Sequence, residues 1–234
     1  MEERFIYFDN AATSWPKPEN VYKAAENYLR SGGANPGRSG HTRSLYADRL
    51  VYETRQRAAS FLGAEEPEEI VFTLNATDSL NMAIKGVLEP GDHVIYTSLE
   101  HNSVLRPLDS LRRNGVITTT MISCDSSGRL EIRDIEKSIR PNTKLIVCTH
   151  ASNVIGAVLP VEKISELAWK NDLLFLLDAA QTAGSIPLDL QEIKPHLAAF
   201  TGHKGLLGPP GVGLLYVHKG VKLKPWREGG TGSR

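Results

Sequence analysis

Cysteine is scarce in this sequence: Cys124 and Cys148 are the only two among 234 residues, and they lack CxxC spacing. That pattern fits a reduced cytosolic compartment rather than a disulfide-stapled secreted protein. An excess of one charge is missing too. Lys plus Arg equals Asp plus Glu at 27 each, so no global field draws nucleic acid or an acidic membrane. No stretch approaches the roughly 20 uninterrupted apolar residues of a spanning helix. Met1 to Asn10 carries Glu2, Glu3 and Arg4 and no apolar core, so a signal peptide is not expected. Repeats and low-complexity linkers are absent, as is the GxGxxG dinucleotide fingerprint. The run Gly208-Pro209-Pro210-Gly211-Val212-Gly213 lacks the Gly-Lys-Ser/Thr of a Walker A loop. These absences leave a cytoplasmic protein without nucleic-acid or membrane partners and without a metal site.

What is present is an ordinary globular composition, 41% hydrophobic and 23% charged, on a chain long enough for one sizeable core. Apolar, β-branched-rich runs occur at Glu69–Leu74, His93–Ser98, Val116–Ser123, Lys144–His150, Leu173–Asp178, Leu197–Thr201 and Val212–His218. Helical patterns separate most of them, at Thr77–Leu88, Ser103–Asn114, Ile132–Ile139 and Val161–Asn171, and two more precede them near Glu19–Arg30 and Leu45–Leu62. Gly63 and the pair Pro90-Gly91 are helix stops. Alternating strands and helices predict an α/β fold: a three-layer arrangement with a mainly parallel, seven-stranded sheet flanked by helices. Leu173 to Leu177 is apolar on both faces and reads as a central strand.

In such sheets ligands bind beyond the carboxyl ends of the strands. The predicted strand ends carry Asn75-Ala76-Thr77-Asp78, Glu100-His101-Asn102-Ser103, Ser152-Asn153, Asp178 with Gln181, and Thr201-Gly202-His203-Lys204. Asn75 to Asp78 opens a helix, where free N–H groups and the helix dipole favour phosphate; a plain N-cap by Asn75 or Thr77 reads equally well. Asp178 closes a wholly apolar run and is costly to bury without a partner, which a cationic ligand atom would supply; capping of a following helix is the alternative. Lys204 is hemmed in by Gly202 and Gly205, so it can approach a cofactor closely and lose its proton when desolvated, as Schiff-base lysines must. His41, in a glycine-rich loop, reads as either a substrate contact or part of a turn.

Taken in order, Asp9-Asn10-Ala11-Ala12-Thr13, Glu100-His101-Asn102-Ser103, Ser152-Asn153-Val154-Ile155-Gly156, Asp178-Ala179-Ala180-Gln181 and Gly202-His203-Lys204 resemble the class V aminotransferase family of fold type I pyridoxal-phosphate enzymes. Within it the motifs are most similar to those of cysteine desulfurases and selenocysteine lyases. The resemblance runs from about Tyr7 to Gly232. It implies residues 1–15 as an N-terminal active-site segment and 16–234 as the large, cofactor-binding domain. It further implies that Lys204 carries the pyridoxal phosphate, Asp178 pairs with the ring nitrogen and His101 stacks on the ring. Asn153 and Gln181 would sit near the phenolic oxygen. Thr77, Thr201 and His203, with backbone amides of Ala76 and Thr77, would hold the phosphate, and Thr231 would reach the phosphate of a partner subunit in a homodimer. Many relatives have Thr where this chain has Ala76 and Glu where it has Asp78.

The resemblance implies a small amino-acid substrate, L-cysteine converted to L-alanine, with sulfur passed to an acceptor cysteine and onward to an acceptor protein in iron-sulfur cluster assembly. In the family the acceptor cysteine and the carboxylate-binding arginine lie in a C-terminal small domain, expected beyond Arg234. Cys124 and Cys148 do not match the acceptor position, and Cys148 reads as a small core residue. A class V aminotransferase or a selenocysteine lyase remains the alternative enzyme. A catalytically idle domain that binds only cofactor or a partner is the alternative outside enzymes.

Overall fold

Seven strands form one sheet in the computed structural model, which describes residues 6–37, 40–225 and 227–229. They are β1 (Ile70–Thr73), β2 (His93–Thr97), β3 (Thr118–Ile122), β4 (Thr143–Thr149), β5 (Leu174–Asp178), β6 (Leu197–Thr201) and β7 (Gly213–Val217). Their spatial order is β1-β7-β6-β5-β4-β2-β3. The pairs β2–β3, β2–β4, β4–β5 and β5–β6 are parallel, and β7 alone runs antiparallel, between β1 and β6. The seven apolar runs in the sequence are thus the seven strands, and the sheet is mixed but mainly parallel, as expected.

Alternation along each strand divides the core in two, because successive side chains point to opposite faces. One face gathers Ile146, Cys148, Phe175, Leu177, Ala198 and Phe200. The other gathers Leu145, Val147, Leu176, Leu197 and Ala199. Helices α3 (Ala76–Val87) and α4 (Asn102–Arg113) cover the second face with Leu80, Ile84, Val104 and Leu108. Helices α2 (Thr42–Leu62), α5 (Ile132–Lys137) and α6 (Val161–Lys170) contribute Leu62, Ile135 and Ile164 to the first, joined by the short α7 (Leu190–Ile193). Phe175, Leu176 and Leu177 are fully buried. Each such side chain contributes about 1.5–3 kcal/mol of burial, so the middle of the sheet is the rigid platform. Cys148 is a core residue, as its alternation predicts. Among the described residues no helix is long and apolar enough to cross a membrane.

The N-terminal helix α1 (Glu19–Asn27) is shorter than its pattern predicts, and the chain continues through a π-helical turn, Tyr28–Gly32. Gly33 closes that turn at φ 36°, a left-handed conformation that a side chain disfavours. His41 is the N-cap of α2, its Nδ1 accepting the Ser44 N–H at 3.3 Å. Nothing in this topology is decorative for the site: parallel β2, β4, β5 and β6 deliver their carboxyl ends to one edge of the sheet.

Candidate active site

Along that edge lies a cavity of about 470 Å³. Register explains its walls. Thr149 pairs with Asp178, and Asp178 with Ala199, so the last residues of β4 and β5 stand side by side two residues from the end of β6. Asp178, Lys204 and His101 all line the cavity. So do Ala76 and Thr77 at the start of α3, Asn153 after β4, Gln181 after β5, and Thr201 and His203 around the end of β6. Every residue assigned to the cofactor therefore meets in one place except Thr231, which lies outside the described residues, while His41 is not among those lining the cavity.

Asp178 is buried, and its Oδ1 accepts the Ala180 N–H at 2.9 Å. It does stiffen the following turn, but it also faces the cavity. Burial raises its pKa above the ordinary carboxylate range, while the Ala180 hydrogen bond, Lys204 and His101 pull it back. Lys204 is the converse case. Burial lowers its pKa, and Asp178 partly restores it. A desolvated lysine whose neutral form is favoured is the nucleophilic kind.

The backbone around Lys204 is fixed from far away in sequence. The His203 carbonyl accepts from Thr13 Oγ1 at 2.9 Å, Ser14 N at 2.9 Å and Lys17 Nζ at 2.7 Å, and the Lys204 carbonyl from Ser14 Oγ at 2.9 Å. Gln181 Nε2 donates to the Ala11 carbonyl at 3.1 Å, so Asp9, Ala11 and Ala12 close one side of the cavity. Gly205 lies against the Ala183 carbonyl and Ser185, where a Cβ would collide, and so the turn after Lys204 requires glycine.

On the opposite side the starts of α3 and α4 converge. Asn75 caps α3, accepting the Asp78 N–H at 2.8 Å, and this decides the capping question in favour of Asn75 over Thr77. The first amides of α3 have no intrahelical acceptor and carry the positive end of its dipole. Thr77 Oγ1 meets Ser103 Oγ at 2.7 Å, and Ser103 Oγ meets His101 Nδ1 at 2.8 Å. His101 Nδ1 also accepts the Ser103 N–H at 3.1 Å, which puts the proton of the neutral imidazole on Nε2. Ser103 and Thr149 line the cavity without having been singled out in the sequence. Ser103 stood within the quoted motif, but its link to Thr77 joins two helices and leaves no local pattern. Asn153 is exposed at the rim.

Two buried polar atoms in this wall have no partner among the described residues: Thr201 Oγ1 and His203 Nδ1. Buried donors and acceptors are nearly always satisfied, so orphans facing a cavity point to a ligand. With a helix N-terminus, a buried carboxylate and a desolvated lysine in the same space, the ligand that fits carries an anion, a cationic nitrogen and a carbonyl.

The class-V aminotransferase family model matches residues 6–233. The chain belongs to the class-V aminotransferase family. That family works with pyridoxal phosphate, whose phosphate, ring nitrogen and aldehyde are the groups the cavity is equipped to meet. The chain is 37% identical over 233 residues to the cysteine desulfurase IscS of Dictyoglomus turgidum, covering 98% of this chain and 58% of that one. It is 36% identical to a probable cysteine desulfurase of Pyrococcus abyssi, covering 94% of this chain and 55% of the other. The chain thus spans somewhat over half the length of these class-V relatives. Among solved structures, an apo cysteine desulfurase from Thermococcus onnurineus superposes with a TM-score of 0.86 at 37% identity, over 92% of this chain and 54% of that chain. SspA in complex with cysteine gives 0.90 at 34% identity, over 96% and 65%.

Proposed function

We propose that this chain is the cofactor-binding part of a cysteine desulfurase that converts L-cysteine to L-alanine and passes the sulfur to an acceptor thiol as a persulfide. The observation that carries this reading is the meeting of Asp178 and Lys204 in one cavity with the orphaned Thr201 Oγ1 and His203 Nδ1. The names of the relatives, and the cysteine held by the SspA structure, support the choice of substrate.

When bound, pyridoxal phosphate supplies an electron sink for charge developing at the substrate α-carbon. Lys204 would hold it covalently and, once displaced by the substrate amine, act as the base that moves the α-proton. Asp178 would keep a proton on the ring nitrogen, since an opposite charge stabilises the charged form. His101 would cover the ring, with Asn153 and Gln181 at the phenolic oxygen. Thr77, Thr201 and His203, with the amides of Ala76 and Thr77, would bind the phosphate. Burial of the cavity strengthens each of these charge interactions by lowering the local dielectric. The sulfur acceptor is assigned to neither cysteine here: Cys148 is sealed in the core with its pKa raised by burial, and burial also raises that of Cys124.

The protein would work in the cytoplasm as a homodimer that hands sulfur to an acceptor protein, in iron-sulfur cluster assembly. Leu45, Tyr46, Val51, Tyr52 and Phe61 stand exposed on α2, apolar side chains that a second copy would cover. Joined to the C-terminal small domain, loaded with pyridoxal phosphate and given L-cysteine and a thiol reductant, the protein is expected to release alanine and sulfide in equal amounts, whereas the 234-residue chain by itself is not expected to complete the reaction. A keto acid formed from the substrate in place of alanine would instead support an aminotransferase.

A further inference from the structure

Glu100 is a sealed carboxyl group that the roles above leave without a task. It directly precedes His101 and is buried at 6% exposure. Its Oε1 accepts two hydrogen bonds, from Thr97 Oγ1 at 2.6 Å and from the Thr149 N–H at 2.9 Å. The first ties it to the end of β2, the second to the end of β4, where Thr149 lines the cavity. Its Oε2 is buried with no partner among the described residues. The neighbouring Cys148 does not supply one, since its S–H is directed at the Thr149 carbonyl at 3.2 Å.

A carboxylate with one oxygen bare in the interior is far costlier than a neutral acid in the same place. The titratable groups that act on Glu100 give it no relief. Among the described residues Asp178 at the end of β5 acts on Glu100, and Glu100 acts in turn on Cys148 on β4 and Cys124 after β3; none of the three is a cation. Lys204 and His101 act instead on Asp178. One side of the cavity therefore holds two buried carboxyl groups, and its basic side chains act on only one of them. Ionising both would set like charges against each other in a low dielectric.

We propose that Glu100 is a positioning residue that keeps its proton well past the pH at which an exposed glutamate ionises, and in that neutral form locks the turn carrying His101 onto the end of β4 and leaves the buried negative charge of the site to Asp178. Burial pushes the Glu100 pKa up to about 7, against the pull of the Thr97 and Thr149 hydrogen bonds, and Asp178 adds to the rise. The usefulness of a charge reserved for Asp178 rests on the cofactor reading. The protonation of Glu100 does not.

The test compares wild type with Glu100→Gln, which keeps an oxygen to accept from Thr97 and Thr149 but cannot ionise. The folded pKa is raised from 4.5 to about 7, so the stability it brings is full below the unfolded value and lost as pH rises through the folded one. In the cofactor-free protein, the Tm of wild type is expected to fall relative to that of Glu100→Gln between about pH 4.5 and about pH 7 and to run parallel above it. Glu100→Gln is expected to bind pyridoxal phosphate within about threefold of wild type, and Glu100→Ala about tenfold more weakly, because it strands the Thr149 N–H and the Thr97 hydroxyl. Parallel Tm curves for wild type and Glu100→Gln across that window would overturn the proposal, as would a Gln variant that binds no better than the Ala variant. If Glu100→Ala does not fold, the Gln comparison stands alone. If no form binds the cofactor, the cofactor reading fails and the Tm curves still decide the protonation of Glu100.

Discussion

Asp178, the last residue of β5, and Lys204, three residues beyond β6, face one cavity from neighbouring parallel strands, and each partly offsets the pKa shift that burial imposes on the other. Asp178 is buried and Lys204 half-buried, and among the described residues the two are not merged into a salt bridge. Each keeps its reactive group available to a third one.

The carboxylate of Asp178 is kept there at some cost to the empty fold. Asp178→Asn retains an oxygen for the Ala180 N–H and removes the charge. Unfolding in urea is expected to give a stability equal to or above that of wild type. Titration with pyridoxal phosphate is expected to show affinity lowered about tenfold or more, the scale of losing an opposite charge within a few ångströms. Unchanged affinity would mean that Asp178 does not pair with the ligand.

Ser14 is buried at 8% exposure and reaches the carbonyls of both His203 (3.1 Å) and Lys204 (2.9 Å). Ser14→Ala should destabilise the protein by about 1 kcal/mol, the net worth of a typical hydrogen bond. It should also raise hydrogen exchange across the segment Asp9 to Lys17. A variant with unaltered exchange would show that the segment is held by other contacts.

At the far edge of the sheet, Trp169 stacks on His196 with ring centroids 4.1 Å apart, and His196 Nδ1 accepts the Phe175 N–H at 3.1 Å. Burial, and then the nearby His218, push the pKa of His196 down to about 4. The unfolded chain takes up this proton near the ordinary value of 6.5. Stability from the neutral imidazole is therefore full above that pH and lost as pH falls toward the folded pKa. Urea unfolding across this window should show wild type losing stability with a steeper slope than His196→Gln. Equal slopes would place the acid sensitivity elsewhere.

Most of the sheet was legible because buried strands carry their own signature. Leu174 to Leu177 is apolar on both sides only because helices cover both faces, and the run announces it. The direction of β7 was not legible, since alternation has no polarity and the antiparallel pairing with β6 is made through the connection 202–212, which carries Lys204 and holds no crossover helix. Helix α7, four residues long, is too short to show a period. The candidate site was legible residue by residue at strand ends, where polar groups interrupt apolar runs. Its closure was not: Gln181 and Ala11 are 170 residues apart, and nothing local to either predicts their contact. Glu100 was hidden for a different reason. A glutamate beside a strand end reads as solvated surface until burial is known.

The central claim is that Lys204 holds pyridoxal phosphate, and borohydride reduction of the mixture followed by peptide mapping tests it directly. The account predicts a yellow complex and label on Lys204 alone. It also predicts loss of the label in Lys204→Ala with noncovalent binding retained, because Thr201, His203 and the start of α3 remain in place. Label on another lysine, such as Lys170 or Lys219, would contradict it.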